Sequence, residues 1–527
     1  MPICPALTRR NAILILLGAL IQTTTLIQAT TSTATVLTLP SIGPASASPL
    51  ELALEFPATS IVEHAPGWTL FKDLYMSNGT FFILTDTPSD FPEVRKMVSN
   101  PLYAMNTPEN IRMREPTPWN MDFLPLVEAQ GRWGDDVHHG QPNRVLSIDG
   151  NTVLVNEPTQ FLRHYFHFVA ELFFGVQAFW HGAFSSPSPD GDLEYSLGLH
   201  PAPPLISRVI FAHANPDGWR DSPGFNEYFL RAAFPGTTIE VQEDWTNRIN
   251  ITSGGEGAWH FPLLLLTDRS ASFRGDICGS QTQRIAAEAV AAMHTKKQLV
   301  GVRVGGWWEP VRSAVLRFAG ADLRLPDNSE QIVLNSDMEE GASQLPMPAK
   351  IVITYISRQS AWNRKLTQEN HEELVKELQE LKKRKGDKWE VNIFEAEKLS
   401  KDEQLQVVAR TTVLLGIHGN SLTHLLFMQP TRISTVIEIF YPGGFAHDYQ
   451  WTASALGMKH FAVWNNTYVV AFSVSSRLSV VLRRYRTEGL GEGKPPVNYP
   501  DGFQTNRIPV HAPTIAKLIE DRVEGRV

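Results

Sequence analysis

Between residues 351 and 464 short strand-like hydrophobic segments recur, at 351–356 as a continuous apolar run and then at 389–394, 412–417, 436–440 and 459–463. An apolar run of this length without polar alternation predicts a strand covered on both faces. The intervening segments have helical spacing. Thr367 stands as an N-cap ahead of Leu374, Val375, Leu378 and Leu381, which share one helical face, and the basic run 382–385 with Gly386 predicts the end of that helix. Further helices are expected at 402–410, 421–428 and 447–456. Strands alternating with helices predict parallel βαβ units in a doubly wound sheet, where ligands bind beyond the carboxyl ends of the strands.

The earlier half repeats the rhythm more loosely, with strands expected at 152–156, 207–213, 238–242 and 263–266. A long apolar helix is expected at 159–181, another at 225–234 and an Ala-rich one at 281–293. The fold class predicted is therefore α/β, with two Rossmann-like domains facing each other across a cleft. The first would occupy 51–330 and the second 331–527. Residues 50–150, rich in Pro and Trp, are expected to be irregular and to wrap the first domain. No internal repeat and no Gly-rich phosphate loop is present.

The N-terminus changes the expected compartment. Arg9 and Arg10 precede an apolar run at 12–21, which reads as a signal peptide or a signal anchor of type II over 1–29, followed by a Ser, Thr, Ala and Pro-rich linker or stem at 30–50. The sequons at Asn78, Asn250 and Asn465 suit the secretory lumen, in the Golgi or endoplasmic reticulum. Of the 527 residues 43% are hydrophobic and 19% charged, which excludes a disordered chain. A net charge of -8 provides no broad positive field, so nucleic acid is not an expected partner and the membrane is expected only through the N-terminal anchor. With only Cys4 and Cys278, neither a disulfide framework nor a Cys-based zinc site can form.

Three clusters carry candidate chemistry. His164, His167 and Glu171 fall on one helical face. They read as an acid/base pair in which Glu171 orients His167, as a three-ligand metal site, or as polar residues at a core edge. Arg358, Arg364 and Lys365 follow the strand at 351–356, where guanidinium forks at a strand end suit a pyrophosphate or a solvated basic turn. The third cluster runs from His418 and Gly419 through Asn420 and Ser421 to His424, either an anion-binding turn or a tight connection using Gly for its dihedrals. Asp190-Gly191-Asp192 matches a metal-binding D-x-D pattern but follows no strand, and Ser421 lacks the second Gly of a nucleophile elbow.

At these clusters the sequence resembles the family 61 glycosyltransferases, from about Asn156 to Trp464. The shared features are His167 with Glu171 four residues on, Ser357-Arg358 ending a strand with Arg364 downstream, His418-Gly419 before a hydrophobic helix and Pro430, Glu438 inside the next strand, and an aromatic helix from Tyr449. The resemblance implies an inverting enzyme of the GT-B type in the secretory pathway. It would move a sugar such as GlcNAc or xylose from a UDP-sugar to a hydroxyl of a glycan or glycoprotein. His167 and Glu171 would be catalytic; Arg358, Arg364, His418, Gly419, Asn420, Ser421 and Glu438 would bind the nucleotide sugar; no metal or other cofactor would be needed. Asn420-Ser421 stands where many members have Ala-Gly, so the donor sugar does not carry over. A luminal carbohydrate-binding protein without turnover and a carbohydrate-active hydrolase are the competing classes.

Overall fold

The computed structural model describes residues 56–134, 143–184, 203–279, 283–299, 304–322, 345–471, 497–498, 503 and 507–527. The leader, the 30–50 segment and the D-x-D motif at 190–192 lie outside them. Among the described residues the strands form two large parallel-rich sheets within one compact unit, Leu52–Val527.

The first sheet contains β1 (Ser60–Ala65), β2 (Trp68–Ser77), β3 (Thr80–Leu84), β4 (Met121–Leu124), β5 (Val145–Ser147), β6 (Asn151–Pro158), β7 (Ile206–His213), β8 (Thr238–Glu240) and β9 (Ala258–Thr267). Its main path is β4-β3-β2-β9-β6-β7-β8, with β1 added on β2 and β5 on β9. Strands β6 to β9 run parallel, and the winding reverses between β6 and β9. Residues 50–150 are thus not an irregular wrap, because β1 to β5 come from them. The β2–β3 hairpin closes through Asn78-Gly79, both at positive φ (49° and 81°), as a two-residue hairpin turn requires.

The second sheet contains β10 (Ile351–Ser357), β11 (Trp389–Glu395), β12 (Val413–Ile417), β13 (Thr435–Ile439), β15 (Lys459–Trp464) and β16 (Thr467–Ala471), while β14 (Gly444–Phe445) pairs with β17 (Val497–Asn498). The order is β11-β10-β12-β13-β15-β16, parallel except for β16, with the reversal between β10 and β12. Every residue of β10, β12 and β13 is buried, which is why these strands read as unbroken apolar runs. The helix Gln368–Lys385 is capped by Thr367, whose side chain accepts the Asn370 amide, and it buries Leu374, Leu378 and Leu381.

One helix predicted as continuous is broken. Instead of a single element at 159–181, a short helix Thr159–Leu162 ends at Arg163, π-helical turns follow over Phe166–Phe173, and a regular helix runs on over Phe174–Phe184. This stretch packs against Trp308, Leu405, Leu422 and Tyr449, so one hydrophobic core joins the two sheets. The segment predicted as a helix at 421–428 is a 3-10 helix, Asn420–Phe427.

Candidate active site

A pocket of about 730 Å³, within the range of small-molecule sites, opens where strand ends of both sheets meet. Thr159, Gln160, Arg163, His164 and Tyr165 reach it after β6, and Asp221, Ser222 and Pro223 after β7. Arg358 reaches it after β10, Glu397 after β11, and Asn420, Ser421 and His424 after β12. Both reversals of strand order contribute, as expected for ligand sites in open parallel sheets. The halves are tied below the pocket: His424 Nε2–H donates to Gln404 Oε1 (3.0 Å), which leaves Nδ1 to accept from the Tyr165 hydroxyl (3.3 Å).

Arg358 is partly buried, and among the described residues its hydrogen bonds, at 3.3 to 3.5 Å, go to oxygens of Asn363 and Arg364 in its own loop. Burial, and then the neighbouring Arg364 charge, hold its pKa below the usual guanidinium value. Arg364 sits at φ 52°, a costly conformation for a side chain of its size, and its buried Nε has no partner. Among the described residues neither guanidinium pairs with a carboxylate. Gly419 lies beneath Arg358: a Cβ there would come within 2.6 Å of Nη1, so only glycine permits this approach.

Behind this loop His418 and His460 clamp Glu438. His418 Nδ1–H donates to Oε1 at 2.6 Å and His460 Nε2–H to Oε2 at 2.7 Å. Burial, then Arg364 and Arg358, keep His418 far below its ordinary pKa, while burial and Asp448 push Glu438 well up. Glu438 is fully buried, and neither it nor His418 lines the pocket.

The first cluster forms a buried chain. His167 Nδ1 meets Glu171 Oε2 at 2.6 Å, Arg269 Nη1 donates to the same oxygen at 2.7 Å, and Arg269 Nε donates to Glu157 Oε2 at 2.5 Å. The Arg269 guanidinium also lies 4.7 Å from the Phe161 ring centroid. Burial and the Arg269 charge lower His167 to about 3, so its imidazole is neutral, and when an ionised Glu171 holds Nδ1–H the lone pair lies on Nε2. Burial raises Glu171 to about 8 against the lowering effects of Arg269 and of the Ile285 backbone amide. Glu171 Oε2 is engaged by both His167 and Arg269. Among the described residues no cluster of three His, Cys, Asp or Glu is placed for a metal.

Of the predicted site residues, Arg358, Asn420 and Ser421 line the pocket, whereas His167, Glu171, Arg364, His418, Gly419 and Glu438 stand beside or behind it. His167 keeps 17% of its side chain exposed and lies edge-on to His164, a pocket-lining residue, at 5.7 Å between ring centroids. The three sequon asparagines are exposed: Asn78 and Asn465 in two-residue hairpin turns, and Asn250 in the last turn of the helix Gln242–Ile251. Glu157, Asp221, Asp268 and Arg269 were not singled out from sequence. Glu157, Asp268 and Arg269 were signalled all the same, as polar residues at or just beyond the ends of apolar strands.

An α/β protein with an anion-suited loop at one strand-order reversal and a His–carboxylate chain at the other fits the nucleotide-sugar enzymes in outline. The glycosyltransferase 61 family model matches residues 165–437, just over half the chain. The chain belongs to glycosyltransferase family 61. A stretch of 83 residues, 16% of this chain, is 37% identical to the EGF domain-specific O-linked N-acetylglucosamine transferase of Drosophila melanogaster, and spans only 14% of that relative.

Proposed function

We propose that this protein is an inverting glycosyltransferase of the secretory pathway that moves a sugar from a UDP-sugar to a hydroxyl of a glycan or glycoprotein. The observation that carries this reading is Arg358, packed over the glycine turn at the β10/β12 reversal with the Arg364 charge close enough to lower its pKa, and with no carboxylate partner for either among the described residues. Guanidinium groups crowded together and partly buried favour an anion that accepts several hydrogen bonds, which a diphosphate does. In this reading the segment up to about residue 330 serves the acceptor, and the segment after it holds the donor in a GT-B arrangement.

The acceptor oxygen attacks the anomeric carbon, the bond from that carbon to the diphosphate oxygen breaks, and UDP leaves with the electron pair. One displacement inverts the configuration. His167 Nε2 takes the hydroxyl proton, Glu171 fixes the tautomer, and Arg358 with Arg364 neutralises the departing charge, so no divalent metal is invoked. The exposed sequons support a luminal address.

A thermal-shift panel in EDTA tests the reading, with UDP, UDP-N-acetylglucosamine, UDP-xylose, other nucleotide sugars and free glycans. UDP and one UDP-sugar are expected to raise the melting temperature, by an amount corresponding to about 2.7 kcal/mol at a hundredfold the Kd. Stabilisation by free glycans alone would favour the carbohydrate-binding reading, and a response that needs added manganese would return a metal to the mechanism.

A further inference from the structure

The loop of residues 214–224, after β7, brings Asp221 to the pocket wall beside His164 and Tyr165. Asp221 is 7% exposed. Its Oδ1 accepts the Asn226 amide at 2.7 Å, in the first turn of the helix Phe225–Ala233, and Asn226 is itself fixed by donating Nδ2 to the carbonyls of Leu162 (2.8 Å) and Trp219 (2.9 Å). The carboxylate is therefore held in place from one side. Its other oxygen, Oδ2, is buried and has no hydrogen-bond partner among the described residues. Burial raises the pKa of Asp221, the backbone amides of Asn226, Phe225 and Asp221 itself and then Lys401, from the helix Lys401–Ala409, lower it, and His164 and Tyr165 feel its charge.

A buried carboxylate oxygen without a donor is costly to keep, and at a pocket wall it calls for an explanation. The remaining groups of the wall divide the work: Arg358 suits an anion, and apolar and aromatic surfaces from Tyr103, Pro223 and Phe225 suit the flat face of a sugar ring. A fixed carboxylate oxygen suits a hydroxyl donor.

We propose that Asp221 Oδ2 is the hydroxyl-recognition point of this pocket, accepting a hydrogen bond from a sugar hydroxyl of the donor or the acceptor bound opposite Arg358. This rests on the sugar-transfer reading above and adds a specificity-determining residue to it. Asp221→Asn keeps the shape and one oxygen for the Asn226 amide, and puts a neutral NH2 in place of the free oxygen.

The test compares wild type with Asp221→Asn for melting temperature, affinity for UDP, affinities for UDP-N-acetylglucosamine and UDP-xylose, and acceptor KM. A hydroxyl on the donor sugar predicts that the variant binds the preferred UDP-sugar about tenfold or more weakly while UDP itself binds as in wild type. A hydroxyl on the acceptor predicts unchanged UDP-sugar affinity with an acceptor KM raised by a similar factor. Unchanged UDP-sugar affinity together with unchanged KM overturns the proposal, as does a parallel fall in melting temperature and UDP affinity, which makes Asp221 a helix cap only. Failure of wild type to bind UDP at all would instead remove the donor reading on which the proposal rests.

Discussion

Replacing His167 by alanine is expected to lower turnover by roughly a hundred- to ten-thousandfold, the usual worth of a general base, while UDP affinity stays near wild type. The imidazole is held neutral by burial and by Arg269, its Nδ1–H is taken by Glu171 at 2.6 Å, and 17% of the side chain remains open to a ligand. Glu171→Gln removes the carboxylate that selects this tautomer, so it should be nearly as damaging, and the double variant less than additive because the two act as a unit. The pH dependence follows from the same chain. Nε2 accepts a proton only when Glu171 is ionised, and Glu171 is raised to about 8, so turnover should climb with pH through that region. Glu171→Gln should lack this limb. Wild-type turnover in His167→Ala would remove the residue from the mechanism, and joint loss of turnover, UDP binding and melting temperature would make its role structural.

The second large effect concerns stability. Arg269 is buried and bonded to two buried carboxylates, Glu157 and Glu171. Arg269→Ala leaves both without a cation, and stranding buried charge in this way costs about 3–5 kcal/mol. Urea unfolding of Arg269→Ala against wild type measures it. The sign with pH is fixed: both carboxyls have raised folded pKa values, so the variant is least handicapped where they are protonated in both states and loses stability as pH rises and the unfolded chain ionises. Adding Glu157→Gln to Arg269→Ala should recover part of the loss at neutral pH. A single variant within about 1 kcal/mol of wild type would show that the cluster is solvated and that Arg269 does not hold the His167 chain together.

The second sheet was legible because its signals are local. The apolar runs of β10, β12 and β13 are buried on both faces, and Thr367 and Gly386 mark the two ends of one helix within twenty residues. The first sheet was harder: Asn78-Gly79 is a strong hairpin signal that the sequon at the same asparagine obscured, and missing it cost β2 and β3. The break at Arg163 has no local marker, since Phe161 to Phe174 reads as one helical face; tertiary packing of Tyr165 on His424, 259 residues away, overrides that pattern. The site divides in the same way. Arg358, His418 and Gly419 sit just beyond predicted strand ends, where local pattern draws the eye, whereas Arg269 is tied to partners 98 and 112 residues distant. Glu438 entered the site through the family resemblance alone, and in the fold it is held between His418 and His460.

The donor diphosphate rests on Arg358 in this account, so calorimetric titration of UDP into wild type and Arg358→Ala is the most direct test. Loss of a charge-assisted phosphate contact removes roughly 1.5–3 kcal/mol, so the variant should bind UDP about tenfold or more weakly with an unchanged melting temperature. Equal UDP affinity in a folded Arg358→Ala protein would contradict the assignment of this loop to the nucleotide sugar.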